Sequence, residues 1–171
     1  MKVVLVAAVA ENGVIGQGGA MPWRLQSDMQ HFRQCTWGRP VVVGRRTYES
    51  FARKPLPGRT NIVVSRDRGF SAAGALVASS LDAALEAARG DALRRGVGEI
   101  MVAGGADIYA QVMPAADRLI VTRIRLRPTG DAMFPPIDPQ QWQEVQRTDH
   151  DAGPQDDAGF SVHVYERPGR C

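Results

Sequence analysis

Val3-Val4-Leu5-Val6-Ala7-Ala8-Val9-Ala10 is an unbroken apolar run, preceded only by Met1 and Lys2. A strand with one wet face alternates apolar and polar residues, whereas a strand without alternation has both faces covered. The run is too short to span a bilayer. It ends in Ala-x-Ala, as a secretory leader does, but one lysine and eight apolar residues fall short of a leader of roughly 15–30 residues. Residues 2–10 therefore read as a buried, central parallel strand.

Other β-branched runs repeat the theme, and each leads into a glycine, a hydroxyl or an arginine. Val41-Val42-Val43 runs into Gly44-Arg45-Arg46-Thr47, which opens a helix expected to finish by residue 54. Asn61-Ile62-Val63-Val64 ends in Ser65-Arg66, after the rigid turn Pro55-Leu56-Pro57-Gly58-Arg59. Glu99 to Ala103 is followed by Gly104-Gly105-Ala106-Asp107-Ile108-Tyr109, and the strand from Arg118 to Arg123 places Thr122 at its end. Ligands of open parallel sheets sit at the carboxyl ends of strands. Helix N-terminal amides and guanidinium forks favour phosphate there, and a Gly-Gly turn brings amides close to a diphosphate. The tail, Trp142 to Val145 and Phe160 to Tyr165 across a polar loop at 149–159, reads as an antiparallel hairpin.

Met21-Pro22-Trp23-Arg24-Leu25-Gln26-Ser27-Asp28 opens as a loop and becomes a helix, with Ser27 as the expected N-cap. Asp28, Phe32 and Cys35 then share one face, beside Met29. A carboxylate on such a face is either a first-turn acid favoured by the helix dipole or a semi-buried acid that grips the polar edge of a ligand. The residues alone leave both readings open. Residues 11–20 hold Gly13, Gly16, Gly18 and Gly19 without the GxGxxG spacing, and read as a lid or a plain surface loop. Ser79 to Gly90 reads as a capped structural helix closed by Gly90.

With 171 residues the expectation is one domain, residues 1–171. The net charge of +3 comes without any Lys/Arg run of five, which suits small anions as well as nucleic acid. The two cysteines, Cys35 and Cys171, and the three histidines, His31, His150 and His163, show no metal-ligand spacing and suggest a reducing compartment.

Taken in order, Ala7-Ala8, Val14-Ile15-Gly16, Met21-Pro22-Trp23, Asp28 with Phe32, Gly44-Arg45 with Thr47, Pro55 to Arg59 with Asn61, Gly104-Gly105 with Tyr109, Thr122, and Gly130-Asp131 before Phe134-Pro135 resemble bacterial chromosomal-type dihydrofolate reductases over essentially the whole chain. The resemblance implies an α/β domain with a mostly parallel eight-stranded sheet, a C-terminal antiparallel strand and about four flanking helices. It implies NADPH-dependent reduction of 7,8-dihydrofolate to tetrahydrofolate, with hydride to C6 and a proton to N5. By the same resemblance, Asp28, Met21, Trp23 and Thr122 would be catalytic. Val6, Ala7, Ala8, Met29, Phe32, Arg33, Phe51, Leu56, Arg59, Ala103 and Tyr109 would join Asp28 and Thr122 around the substrate, with Arg59 on its glutamate carboxylate. Ala8, Ile15, Gly16, Gly44, Arg45, Arg46, Thr47, Ser65, Arg66, Gly104, Gly105, Ala106, Asp107, Ile108 and Tyr109 would hold the cofactor, and Asp131 would tether the lid. No metal, nucleic acid or membrane is expected. Antifolates are the expected inhibitors, and a cytoplasmic monomer the expected form.

Three positions depart from the family pattern. Ala103 stands where many relatives carry a larger aliphatic residue, Asp107 where some carry a basic one, and Gly18-Gly19 enriches the lid in glycine. The alternatives are a related-fold pyrimidine reductase of the riboflavin pathway and a non-catalytic nucleotide or nucleic-acid binding protein. The second would require exposed aromatics among its basic residues.

Overall fold

The structure, a computed structural model, describes residues 1–169, so Cys171 lies outside the described residues. Eight strands form one sheet: β1 (Lys2–Ala10), β3 (Pro40–Gly44), β4 (Thr60–Val64), β5 (Leu76–Ala78), β6 (Glu99–Val102), β7 (Arg118–Ile124), β9 (Gln143–His150) and β10 (Phe160–Glu166). Their order is β5-β4-β3-β6-β1-β7-β10-β9. β10 runs antiparallel to both β7 and β9, and the remaining pairings are parallel. A second, two-stranded ribbon joins β2 (Val14–Gly16) to β8 (Ala132–Met133). The helices are α1 (Gln26–Thr36), α2 (Arg45–Ser50), α3 (Leu81–Arg95) and α4 (Ala106–Val112).

β1 lies between β6 and β7, and its side chains divide by parity. Val3, Leu5, Ala7 and Val9 pack with Val42, Ile100, Val102, Leu119 and Val121 and with Ala84 and Ala88 of α3. Val4 and Val6 face the other way, into Val41, Met101 and Ala103, with Phe32 of α1 and Leu56 against them. Both faces are covered, which is why the run never alternates.

Helix ends differ from the sequence reading. Ser27 is not the cap of α1: Leu25 takes that place without a side-chain bond. The amide of Ser27 donates instead to Asp156 Oδ1 at 2.9 Å, and the amide of Arg24 donates to Asp157 Oδ2 at 2.7 Å. The β9–β10 loop thus closes the start of α1 from outside. The Ser27 amide and hydroxyl hold the Asp156 carboxyl below the usual carboxylate range. A depressed carboxylate contributes stability above its unfolded value, and this clasp is lost as pH falls through the folded one. Helix α2 ends at Ser50 rather than 54, and α3 runs through Gly90 to Gly96, whose φ of 71° makes the left-handed cap. Thr122 stands inside β7, opposite Ala8 of β1 and Val162 of β10, not at a strand end.

Candidate functional site

A cleft of about 1270 Å³ opens along the carboxyl ends of β3, β4 and β6 and under residues 15–21. Ile15, Gly16, Gly44, Arg45, Arg46, Thr47, Ser65, Arg66, Gly105, Ala106, Asp107 and Ile108 line it. Its floor is kept low by glycine. A Cβ on Gly105 would stand 3.0 Å from Thr47 Oγ1, and one on Gly44 would stand 3.4 Å from Ile108 and 3.6 Å from the Gly105 amide. The start of α3, Ser79 to Leu81, also lines the cleft, although the sequence reading made that helix purely structural.

The two arginines at the start of α2 are not equivalent. Arg45 is held by Glu49 at 2.9 Å and Asp67 at 3.1 Å, with its guanidinium 4.9 Å over the Phe70 ring. Arg46 and Arg66 are exposed. Asp67 was missed in the sequence, because nothing local announces a partner 22 residues away.

Asp28 is 8% exposed and sits on the far side of β1's partner strands from α3. Its Oδ1 accepts the Thr122 hydroxyl at 2.7 Å, a bond between residues 94 apart in the chain. The same oxygen lies 3.8 Å from His31 Nδ1. Burial pushes the Asp28 carboxyl above its usual range, while the Thr122 hydroxyl, His31 and His150 pull it back. Asp28 also stands in the first turn of α1, so the helix dipole favours its charged form while burial opposes it.

Phe32, Leu56, Val6 and Ala103 form one apolar wall, closed at its base by the Tyr109 hydroxyl, which donates to the Val6 carbonyl at 2.6 Å. Met29 is 47% exposed at the rim. Phe51 belongs to a different cluster, edge-to-face with Tyr48 at 6.1 Å and packed on Val43 and Val63. Arg33 and Arg59 both approach the ring of Trp37, at 4.8 and 5.8 Å. Arg59 donates to Thr36 Oγ1 at 3.1 Å and to the Pro57 carbonyl at 2.9 Å. Among the described residues no carboxylate forms an ion pair with either arginine. Asn61 clips this corner, taking the Leu56 amide at 2.8 Å and donating to the Leu56 and Arg59 carbonyls.

The segment over the cleft is tied at two points. Gln17 and Ala20 bond each other across Gly18-Gly19. The amide of Gly18 donates to Asp131 Oδ2 at 3.2 Å, and the amide of Asp131 donates to the Gly16 carbonyl at 3.1 Å. The expected tether is therefore present in the folded chain. Gly130 makes it possible: a Cβ there would meet Val14 Cγ1 at 2.2 Å and the Gly16 carbonyl at 2.7 Å. Overpacking costs about 1–3 kcal/mol, so Gly130→Ala should lower the melting temperature by roughly 2–12 °C in a chain this size. An unchanged thermal melt would show that the β2–β8 contact yields without cost. Met21 lines the cleft, whereas Trp23 is buried with Leu25, Phe160 and Val162 and anchors the segment's far end. Among the described residues no group of three or more His, Cys, Asp or Glu could hold a metal ion.

Comparison with known proteins agrees with this geometry. The dihydrofolate reductase family profile matches residues 2–167. Dihydrofolate reductase of Neisseria meningitidis serogroup A is 49% identical over 149 residues, covering 87% of this chain and 88% of the relative. That of Mycobacterium tuberculosis (H37Rv) is 43% identical over 144 residues, covering 81% and 83%. A solved dihydrofolate reductase from Enterococcus faecalis, complexed with NADP(H) and RAB-propyl, superposes with a TM-score of 0.84 at 30% identity over 98% of this chain and 96% of that one. With a profile that spans residues 2–167 and relatives of this identity over more than four fifths of its length, the chain belongs to the dihydrofolate reductase family.

Proposed function

We infer that the chain reduces 7,8-dihydrofolate to 5,6,7,8-tetrahydrofolate with NADPH. The observation that carries this reading is the buried Asp28–Thr122 pair beside an apolar wall, in a chain of this family. The riboflavin-pathway alternative is not favoured, because it has no need of Asp28, Thr122 and Arg59 together. When bound, NADPH supplies the hydride that C6 accepts; N5 takes a proton, and NADP⁺ leaves.

The residues divide the remaining work. Asp28 accepts hydrogen bonds from N3–H and the 2-amino group of the pterin, and Thr122 fixes Oδ1 so that the carboxylate is already oriented. Val6, Ala7, Ala8, Phe32, Leu56 and Ala103 exclude water around the ring, with Met29 and Phe51 nearer the outer edge. Arg59, aided by Arg33, takes the glutamate carboxylate. Met21 and the residues before it cover the reacting atoms, and a water beneath them carries the proton to N5. Asp28 acts on that step by polarising the ring. Gly44, Gly104 and Gly105 let the cofactor's diphosphate approach the backbone, with Thr47, Ala106, Ile108 and Tyr109 around them. Asp107 is exposed at the start of α4 and lines the cleft, where its charge works against the phosphates.

Following nicotinamide absorbance in a mixture of protein, NADPH and dihydrofolate tests the reading directly: a steady fall is expected, and no fall at any pH would defeat it. Cofactor choice is a separate expectation. Arg46 and Arg66, with Arg45, should favour the phosphorylated cofactor, since each charge-assisted bond contributes roughly 1.5–3 kcal/mol. That is about tenfold to a hundredfold in kcat/KM over NADH, and equal efficiency would place the phosphate elsewhere. We also expect a cytoplasmic monomer that binds antifolates and neither nucleic acid nor membranes. Among the described residues no helix is long and apolar enough to cross a membrane. Sedimentation at micromolar concentration tests the oligomeric state.

A further inference from the structure

His31 lies one turn beyond Asp28 on α1, and nothing in the reaction as derived above uses it. Its Nδ1 is 3.8 Å from Asp28 Oδ1, the oxygen that also accepts the Thr122 hydroxyl. Cys35 Sγ lies 3.4 Å from Nε2 and 4.0 Å from Nδ1. Burial pushes the Cys35 thiol up to about 11, so the sulfur keeps its proton at neutral pH. With the sulfur uncharged, the Asp28 carboxylate is the ionised group that faces Nδ1.

The surrounding charges are few. His150 at the end of β9, stacked on Phe160, and Asp156 in the β9–β10 loop act on Asp28 from the neighbouring elements. The Tyr109 hydroxyl is held protonated by burial. On the Cys35 side stand Arg39 and Glu99, which pair with each other at 3.1 Å. His31 is therefore the basic side chain nearest to the acid, and both are partly shielded from water.

We propose that His31 is a positioning residue for the reduction inferred above: it keeps Asp28 ionised as the medium turns acidic, so the carboxylate retains its hold on the pterin. Burial by itself favours neutral Asp28 and neutral His31. Side by side they favour each other's charged form. Near neutral pH the ring is uncharged and has little influence. As pH falls the ring charges, and an opposite charge 3.8 Å away delays protonation of the acid. The charged ring thus holds the Asp28 carboxyl lower than burial alone would place it.

Two measurements test this. The first follows the His31 ring by NMR through a pH titration of the NADPH-bound wild type and of Asp28→Asn. The imidazole should titrate at lower pH in the variant, where the anion that favours its charged form is gone. Identical titrations would overturn the proposal, and this readout does not depend on turnover. The second is a pH series of single-turnover hydride transfer for the wild type, His31→Gln and His31→Lys. The Lys variant carries a permanent cation, and its profile should be displaced toward acid relative to Gln. The wild type should follow Gln at high pH and cross to Lys at low pH. Profiles that differ only in height, with no displacement, would mean that His31 merely packs, and the proposal would fail. Absence of hydride transfer in the wild type would instead defeat the functional reading, leaving the NMR coupling to stand or fall by itself.

Discussion

Asp28→Asn should lower single-turnover hydride transfer near neutral pH by about 10²–10⁴-fold, the range for loss of an acid–base group. Asparagine keeps the shape and can still accept the Thr122 hydroxyl through its carbonyl oxygen, so the loss isolates the charge. NADPH affinity should stay within about twofold, because the cleft proposed for the phosphates does not include Asp28. The activity of the variant should climb as pH falls, since substrate already protonated at N5 needs less help. Stability should move the other way from activity. Burial raises the folded pKa of Asp28, so the folded chain binds that proton more tightly than the unfolded chain and is destabilised by the ionised carboxylate at neutral pH. The variant should therefore melt at higher temperature than the wild type at neutral pH, and the gap should close as pH falls through the folded pKa. A variant that is within threefold of wild-type rate at neutral pH, on the scale of that same effect, would reduce Asp28 to a structural acid.

The second large effect is expected at Arg59. Burial and the neighbouring Arg33 both push its pKa below the ordinary arginine value, which is the signature of a cation held without a countercharge. A carboxylate arriving there relieves the penalty, so Arg59→Leu should raise KM for dihydrofolate by roughly 10²-fold, one to two charge-assisted bonds. The apolar stem can still cover Trp37. A pterin substrate lacking the glutamate tail should react equally well with both proteins, and kcat for dihydrofolate should change little. A comparable loss with the tailless substrate would indicate that Arg59 serves to hold the Pro57 and Thr36 corner and does not read the carboxylate.

The strands β1, β3, β4 and β6 were legible because a doubly buried strand has an unmistakable composition, β7 followed from the same signal, and β10 from the hairpin pattern of the tail. Helix ends were not legible, because their signals competed with distant partners. Ser27 looked like a cap, yet the bond that closes α1 comes from Asp156, 129 residues away. Gly90 looked like a stop, but an interior glycine costs a helix only about 1 kcal/mol, and α3 continues to Gly96, the glycine with the left-handed angle. At the site, the residues alone left Asp28 undecided between two roles, and the family resemblance brought Thr122 to it. Phe51 was placed near the substrate by the same resemblance, and its edge-to-face packing on Tyr48 was not legible in the residues. The i,i+4 spacing of Arg45 and Glu49 was there to read, but no local signal announced Asp67 as the second partner of Arg45. The spacing of His31 from Asp28 was visible all along, and only the direction of the two side chains gave it meaning.

The clasp of the β9–β10 loop on the start of α1 has a bearing on how the chain is made. The helix that carries Asp28 leaves the ribosome some 129 residues before the aspartate that closes its first turn. Thr122 follows 94 residues after Asp28. At about 5–20 residues per second, the acid is exposed for several seconds with neither partner. A nascent fragment that stops short of residue 122 lacks the partner of Asp28, and one that stops short of 156 lacks the clasp on α1, so a folate-shaped ligand stabilises chains whose synthesis has passed the clasp more than shorter ones. Ligand in the surrounding medium would then favour completed copies over truncated ones by mass action.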